Sequence, residues 1–297
     1  MKVLLTGGGG FLGAWIIKRL LNKGISVRVF DASDSRRFLD AIVGSDGKRV
    51  EWLVGDIVNT EQVISAAEGC DTILHLAGVQ TPFCMEYPIQ GARINVLGTL
   101  NVFEAAKLHG IKRVVYTSSG GVFGLVDDVV PEPNTHYGAF KLANEGSARA
   151  YWYENGISSI GMRPFVLYGP GRDAGLTATI TQACRAVAKS ERFTIKLVGT
   201  VPLVYVEDVA AAYEAAVEVD YSGVHVLNLS GIPVTIEHII EVIRRIVPDA
   251  QIVSDGPSLP SISTVKNQHE NELLRLPPET TLEEGLLRTI DFYRTNP

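Results

Sequence analysis

The sequence predicts an α/β fold built on a doubly wound parallel sheet, with a smaller C-terminal lobe. Two observations carry this prediction. Short apolar segments alternate with helical patterns through the first half of the chain, and a glycine-rich turn joins the first apolar segment to the first helix. The apolar segments are rich in Val, Ile and Leu without polar alternation, which is typical of strands covered on both faces. The alternation predicts parallel strands joined by right-handed crossovers.

The elements follow from these patterns in chain order. The predicted strands are Val3–Thr6, Ser26–Asp31, Val50–Val54, Thr72–His75, Arg113–Thr117 and Ser159–Met162. The predicted helices are Leu12–Asn22, Glu61–Ala67, Gly98–His109 and Tyr137–Glu154. After Met162, prolines divide the chain into shorter elements, so we expect a sheet domain over 1–163 and a lobe over 164–297 that is interwoven with the end of the sheet. Asp255–Asn271 has the weakest pattern and is expected to be a loop over a site.

Composition narrows the class of protein. The chain has 297 residues, is 46% hydrophobic, carries a net charge of −6 and has no cluster of Lys or Arg, so neither a nucleic-acid nor a membrane surface is expected. No apolar run is long enough to span a bilayer, and the first residues lack the pattern of a signal peptide, so we expect a cytoplasmic protein. Cys70, Cys84 and Cys184 lack C-x-x-C spacing, which supports neither a disulfide framework nor a metal site.

The glycine-rich turn has the spacing of a phosphate-binding turn. It runs Thr6-Gly7-Gly8-Gly9-Gly10-Phe11-Leu12-Gly13. Gly7 permits the tight turn, Gly10 permits close approach of a pyrophosphate, and Gly13 permits the helix to pack on the strand. Phe11 and Leu12 begin the helix, where free N–H groups favour phosphate. A flexible turn is the alternative, but the strand before it and the helix after it favour a Rossmann-type dinucleotide site.

An acid closes the second strand at Asp31. A carboxylate there can accept both ribose hydroxyls of NAD and would repel the 2′-phosphate of NADP, so NAD is the predicted cofactor. Arg36 and Arg37 follow soon after and could bind a 2′-phosphate, which leaves the preference open to test. Asp56 and Ile57, after the third strand, lie where the adenine could be bound, although Asp56 could equally be a turn residue.

Four motifs in order extend this interpretation. They are Gly7-x-x-Gly10-x-x-Gly13 with Asp31, His75-Leu76-Ala77-Gly78, Tyr137-Gly138-Ala139-Phe140-Lys141 and Tyr205-Val206-Glu207-Asp208-Val209-Ala210. Together they resemble the extended short-chain dehydrogenases, the NAD-dependent epimerase/dehydratase family that includes the UDP-glucose 4-epimerases. The resemblance runs from Met1 to about Ala216 and is loose beyond it. It implies an NAD-dependent enzyme, and a homodimer formed through Gly98–His109 and Tyr137–Glu154.

Tyr137 and Lys141 are four residues apart in a helical pattern, so they share one face. A tyrosine with its usual pKa of about 10 is a poor base, and a neighbouring ammonium favours the phenolate. Tyr137 could then accept a proton from a substrate alcohol, or return it in reduction. The resemblance also implies that Lys141 contacts the nicotinamide ribose. The alternative is a core tyrosine beside a surface lysine.

The resemblance assigns further residues around this pair. Ser119 is implied to hydrogen-bond the substrate oxygen; Ser118 is the alternative, because one residue of register would exchange the two. Thr117 ends the same strand and is a candidate cofactor contact. Leu76, Ala77 and Gly78 are expected to pass the cofactor by their backbone, and Asn95 to order this region. His75 is interpreted as a structural histidine rather than a base.

Three departures from relatives narrow the reaction. Gly120 and Gly121 stand where dehydratases of the family have an acid pair, so elimination of water is not expected. Val166 replaces an asparagine that helps hold a nucleotide diphosphate, and no gripping arginine is recognisable between Gly231 and Leu273, where the basic residues are Arg244, Arg245, Lys266 and histidines. The stretch from Ser119 to Tyr137 is also short. A small sugar-like or sugar-acid substrate is therefore favoured.

Arg172 and Asp173 are the candidate contacts to that substrate, since an arginine suits a carboxylate through a bidentate pair. A solvated loop pair is the alternative. Three functions follow. The leading hypothesis is a dehydrogenase with dissociable NAD, the second is an epimerase that retains NAD, and the third is a non-catalytic dinucleotide sensor. The sensor is disfavoured because Ser119, Tyr137 and Lys141 are all present.

Overall fold

The computed structural model describes residues 1–125, 129–175, 177–258 and 270–296. The strands are β1 (Lys2–Thr6), β2 (Ser26–Asp31), β3 (Glu51–Val54), β4 (Thr72–His75), β5 (Arg113–Thr117), β6 (Ser158–Pro164), β7 (Val166–Tyr168), β8 (Phe193–Ile195), β9 (Thr200–Tyr205), β10 (Val224–Leu229), β11 (Ile232–Thr235) and β12 (Ile252–Ser254). The helices are α1 (Phe11–Asn22), α2 (Arg37–Ile42), α3 (Thr60–Ala67), α4 (Thr81–Glu86), α5 (Pro88–Ala92), α6 (Gly98–His109), α7 (His136–Asn155), α8 (Thr179–Ala188), α9 (Val206–Glu218), α10 (Ile236–Ile246), α11 (Glu270–Leu274) and α12 (Leu282–Thr295). A π-helical turn, Arg93–Leu97, leads into α6.

The main sheet has seven strands in the order β10-β6-β5-β4-β1-β2-β3, all paired in parallel. The direction of winding reverses at β1, because β2 and β4 lie on its two sides. A crevice opens at such a switch point, outside the carboxyl ends of the strands. The predicted fold class is confirmed. The strand bounds differ slightly from the prediction, since β3 begins at Glu51 and β6 extends to Pro164.

Both faces of this sheet are buried, which explains why its strands show no polar alternation. Successive residues of a strand point to opposite faces. One face packs under α1 and α9 and includes Leu5, Leu74, Val115 and Ile160, each with no exposed surface. The other packs under α3 and α6 and includes Leu4, Ile73, Val114 and Tyr116, also fully buried.

The C-terminal part of the chain contributes both to the main sheet and to smaller sheets. β10 pairs with β6 at one edge of the main sheet. A three-stranded sheet has the order β11-β9-β7, and β12 pairs with β8. Because β6 runs through residues 163 and 164, the division of the chain between those residues stays a prediction. Most of the loop expected at Asp255–Asn271 lies outside the described residues.

Two further observations apply to the described ranges. No helix there combines the length and apolarity needed to cross a bilayer. No group of three or more metal-ligating His, Cys, Asp or Glu side chains occurs there either. Cys70, Cys84 and Cys184 are buried free thiols.

Candidate active site

The glycine-rich turn between β1 and α1 forms a cradle of backbone atoms. Gly7 has φ 74°, and a Cβ on it would lie 2.6 Å from the Ala77 nitrogen. A Cβ on Gly13 would lie 2.6 Å from the Gly8 carbonyl oxygen, so the close contact of helix and turn depends on this glycine. A Cβ on Gly10 would meet only Gly7 O among the described residues, at 3.4 Å, so the turn is open at this position. The first N–H groups of α1, at Phe11 and Leu12, have no partner within the helix. The cradle fits a pyrophosphate.

Asp31 lies beside this cradle at the end of β2. Its Oδ2 accepts a hydrogen bond from Gly9 N at 2.9 Å, and its Oδ1 accepts one from Ser33 N at 3.0 Å. The carboxylate is thereby held next to the phosphate turn, which is where an adenosine ribose would lie. These residues fit NAD.

The other predicted adenine contacts differ in character. Asp56 is exposed, and its Oδ1 accepts a hydrogen bond from Val58 N at 2.9 Å, so it forms the turn that was the alternative interpretation. Ile57 is buried, and its side chain lies where a Cβ on Gly98 would be only 2.9 Å away. Ile57 therefore belongs to the core, and only its backbone can face a ligand.

Asn95 holds the segment that follows β4 in place through side-chain hydrogen bonds. It is 1% exposed and lies in the π-helical turn rather than in a regular helix. Its Oδ1 accepts from Val79 N at 3.1 Å, and its Nδ2 donates to Val79 O at 3.0 Å. A Cβ on Gly78 would lie 2.6 Å from Asn95 Oδ1. Asn95 thus sets the backbone of Leu76, Ala77 and Gly78 along the crevice.

His75 lies in the interior, between two threonine hydroxyls. Its Nδ1 is 2.7 Å from Thr6 Oγ1, and its Nε2 is 3.0 Å from Thr99 Oγ1. The Thr99 hydroxyl already donates to Asn95 O at 2.7 Å, so His75 Nε2 carries the proton and Nδ1 accepts. Burial, and secondarily the charge of Lys141, lowers the pKa of His75 to about 3. The histidine is neutral, as a structural role requires.

Tyr137 and Lys141 lie on one face of α7, at the carboxyl end of β5. Thr135 caps the helix, accepting from Gly138 N at 3.1 Å. Lys141 Nζ is 5.7 Å from the centre of the Tyr137 ring and donates to Thr117 O at 2.7 Å. Lys141 is 3% exposed, and burial lowers its pKa from 10.5 to about 8. The ammonium is therefore held in place by a strand carbonyl.

Burial is the main reason why the pKa of Tyr137 is raised above its usual value. A hydrogen bond with Ser119 and the charge of Arg172 act in the opposite direction. Burial outweighs the effects of Ser119 and Arg172, and the lowering expected from Lys141 is not found.

The two serines after β5 point to different partners. Ser119 faces Tyr137, and its Oγ also accepts from Gly121 N at 3.0 Å. Ser118 is fully buried and donates to Glu145 Oε1 at 2.5 Å. Ser119 is thus the hydroxyl available at the crevice, and Ser118 is committed to the interior.

Glu145 is a site residue that the sequence interpretation missed. It accepts from Arg163 Nε at 2.8 Å and from Arg163 Nη2 at 2.6 Å, a bidentate pair that is almost fully buried. With Ser118 as a third donor, Glu145 ties α7 to the ends of β5 and β6. The signal was present in the sequence, because Tyr137, Lys141 and Glu145 recur every four residues.

Arg172 and Asp173 do not form a solvated pair. The guanidinium of Arg172 lies 5.8 Å from the Phe11 ring centre, and Arg172 Nε is buried with no hydrogen-bond partner in the described part of the chain. Its Nη2 is 3.4 Å from Thr177 Oγ1, a weak contact. Burial lowers the pKa of Arg172. Asp173 instead binds Arg37, with 2.9 Å between Oδ2 and Nη2.

The two described arginines between Gly231 and Leu273 bind other groups of the protein. Val166 is 6% exposed and lies inside β7. Arg244 donates to Ile252 O at 2.7 Å, and Arg245 lies 3.7 Å from Glu283 on the surface. Lys266 lies outside the described residues.

Comparison with known proteins agrees with this geometry. The sequence profile of the NAD-dependent epimerase/dehydratase family matches residues 3–230. The chain is similar to a UDP-glucose 4-epimerase of Mycolicibacterium smegmatis, 29% identical over 315 residues that cover 99% of both chains. It is also similar to a uronate dehydrogenase of Pseudomonas putida, 31% identical over 169 residues that cover 54% of this chain and 59% of that protein.

Solved structures extend the similarity over the whole chain. The UDP-glucose 4-epimerase of Thermus thermophilus, solved in complex with NAD, is 26% identical with a TM-score of 0.83 and covers 99% of both chains. The Thermotoga maritima UDP-glucose 4-epimerase, solved with UDP-glucose, has a TM-score of 0.86 at 24% identity and covers 100% of this chain and 99% of its own. At 24% identity, the similarity to the Thermotoga maritima enzyme shows the fold alone.

The buried His75 leads to a prediction about acid stability. Its pKa of about 3 lies below the unfolded value, so the unfolded chain binds one more proton as pH falls from about 6.5 towards 3. Stability is therefore lost over that window, by about 1.4 kcal/mol per pH unit from this group. His75→Gln should lose about 2 kcal/mol less than wild type between pH 7.5 and pH 5 in urea unfolding. The exposed His109→Gln is the control, and an equal loss in His75→Gln would contradict the assignment.

Proposed function

The chain belongs to the NAD-dependent epimerase/dehydratase family and uses NAD as its cofactor, and from this premise we propose that it is a dehydrogenase acting on a small hydroxylated anion. The substrate class is a sugar acid or a similar hydroxy acid. Ser119, Tyr137 and Lys141 are the proposed catalytic residues.

In the proposed oxidation, the carbinol hydroxyl lies between Ser119 and Tyr137. NAD, which the Gly7–Gly13 turn and Asp31 would hold, would supply the hydride acceptor for the carbinol carbon. The phenolate form of Tyr137 accepts the hydroxyl proton, so that the alcohol becomes a carbonyl and Tyr137 a neutral phenol. Ser119 donates a hydrogen bond to the same oxygen, and the Lys141 ammonium, fixed on Thr117 O, stabilises the phenolate. Reduction reverses these steps.

The observation that carries the substrate class is the half-buried Arg172, whose Nε is buried without a hydrogen-bond partner in the described part of the chain. A guanidinium is almost never left without an anionic partner away from water, because its desolvation is costly. The charge of Arg172 acts on Tyr137, so a carboxylate bound to it would lie near the reacting carbinol. The absence of a bonding group at Val166 favours a small acid over a nucleotide-sugar.

A nucleotide-sugar epimerase is the second candidate. It is favoured by one observation, the full-length similarity to a UDP-glucose 4-epimerase. Both candidates use the same three catalytic residues. Both also accommodate the expected homodimer through α6 and α7, where Leu108 is 65% and Tyr153 is 80% exposed.

Replacement of Tyr137 tests the catalytic role. Tyr137→Phe should reduce turnover at least about a hundredfold, because it removes the proton acceptor, and should leave the Kd for NADH within about twofold. Stopped-flow absorbance measures the first and nicotinamide fluorescence the second. Tyr153→Phe, an exposed tyrosine on the same helix, is the matched control. A Tyr137→Phe enzyme with more than about a tenth of the wild-type rate would show that another group accepts the proton.

Replacement of Arg172 tests the substrate class. Arg172→Met should raise the KM of a carboxylated substrate at least about tenfold, through loss of a charge-assisted pair, and leave the NADH Kd unchanged. The same variant should keep the wild-type KM for uncharged polyols. Equal loss of activity on charged and uncharged substrates would show that Arg172 has a structural role only.

The fate of the hydride separates dehydrogenase from epimerase. A dehydrogenase given its substrate with NAD should release one NADH per carbinol oxidised, and the purified protein should carry little NAD. An epimerase must hold its ketone while the ketone turns, which requires the diphosphate anchor that is not found in β7 here. Retention of NAD through gel filtration, together with inversion of a UDP-sugar without net NADH, would replace the first candidate by the second.

A further inference from the structure

We propose that Asp173 determines cofactor specificity, by holding Arg37 away from the position that a 2′-phosphate of NADP would take. The inference rests on the proposed dinucleotide site at the Gly7–Gly13 turn and Asp31. Asp173 was expected to contact the substrate. The proposal instead gives it a role in the discrimination between NAD and NADP at the adenosine end of the cofactor.

The chain carries two arginines where NADP recognition would need them. Arg36 and Arg37 follow Asp31 by five and six residues. A guanidinium binds a phosphate through parallel hydrogen bonds, and one such contact can offset the repulsion by an acid such as Asp31. An NAD-specific site with two arginines this close must therefore engage them elsewhere.

Arg36 is engaged by an aromatic ring. Its guanidinium carbon lies 4.9 Å from the centre of the Trp52 ring. Trp52 is in turn fixed, because its Nε1 donates to Ser33 O at 3.0 Å. Arg36 is thereby drawn over β3, and its planar face is occupied.

Arg37 is engaged by Asp173. Arg37 Nη2 lies 2.9 Å from Asp173 Oδ2, and the guanidinium carbon lies 4.2 Å from the centre of the Phe38 ring. The arginine side chain is 63% exposed and the aspartate side chain 34%. Because the pair is open to water, its strength is modest. Asp173 also places a negative charge directly beside Arg37.

The turn that carries Asp173 is firmly anchored. Pro170 O accepts a hydrogen bond from Trp15 Nε1 at 3.0 Å, and Gly171 N donates to Tyr293 OH at 3.0 Å. Gly171 has φ 95°, and a Cβ on it would lie 3.3 Å from the Phe11 ring and 3.4 Å from the Phe38 ring. Asp173 is therefore presented to Arg37 from a fixed position, and the carboxylate acts as a positioning group rather than a contact to the cofactor.

Binding measurements test this without a known substrate. The Kd values of NADH and NADPH are measured by nicotinamide fluorescence for wild type, Asp173→Asn, Arg37→Ala and the double variant. Wild type should bind NADH at least about tenfold more tightly than NADPH. Asp173→Asn should lower the NADPH Kd about fivefold, since it removes one negative charge and frees Arg37, and leave the NADH Kd within about twofold.

The double variant isolates the part that acts through Arg37. In the Arg37→Ala background, Asp173→Asn should improve NADPH binding by no more than about twofold, because only the charge of the aspartate is then removed. Asp173→Glu should restore the wild-type preference. Asp40→Asn, an exposed acid on α2, makes the same change in net charge and should leave both Kd values within about twofold.

The outcomes separate this inference from the proposed function. An unchanged NADPH Kd in Asp173→Asn, with NADH still bound, would overturn the role of Asp173 alone. An improvement of the same size with and without Arg37 would show that the aspartate acts by its charge only and would overturn the positioning role. A wild-type chain that binds neither dinucleotide would overturn both proposals.

Discussion

The site depends on the close contact between α7 and the loop that follows β5. Gly138, in the first turn of α7, has no side chain at the point where a Cβ would lie 2.2 Å from the Gly121 carbonyl oxygen. This contact allows the helix to approach the end of β5, so that Tyr137 meets Ser119 and Lys141 reaches the Thr117 carbonyl. A larger residue at position 138 would separate the helix from the strand, and with it Tyr137, the proposed proton acceptor, from Ser119.

The buried ion pair of Glu145 and Arg163 stabilises the same contact between α7 and the end of β5. Each of these charges would be costly without the other, because the interior offers no water. Since Glu145 also accepts from Ser118, the pair fixes the residue directly before Ser119. One face of α7 thus directs Tyr137 and Lys141 to the crevice and Glu145 to the interior. The buried ion pair fixes the position of Ser118 and, through it, that of the neighbouring Ser119 hydroxyl.

How much of this could be predicted depended on whether the signal was local. The fold class, the family and the NAD cofactor were predicted and are confirmed, because periodicity and glycine spacing are properties of short segments. The preference for Ser119 over Ser118 rested on the resemblance alone, since the buried position of Ser118 depends on Glu145, 27 residues away from it. Likewise, the sequence alone could not show that Arg172 and Asp173 have different partners, because Asp173 binds Arg37, which lies far away in the chain. The assigned roles of the site residues stay predictions.

Burial acts on the two central groups in the same sense, since it raises the pKa of Tyr137 and lowers that of Lys141 to about 8. Both effects favour the uncharged forms, so a free phenolate is not a resting state of the chain alone. A phenolate next to an ammonium has no net charge, however, and each then offsets the desolvation of the other. Formation of the phenolate is therefore least costly when a positive charge is adjacent, because burial alone favours the neutral phenol. The Lys141 ammonium, held by Thr117 O, is thus the group on which the proton-accepting form of Tyr137 depends in the proposed reaction.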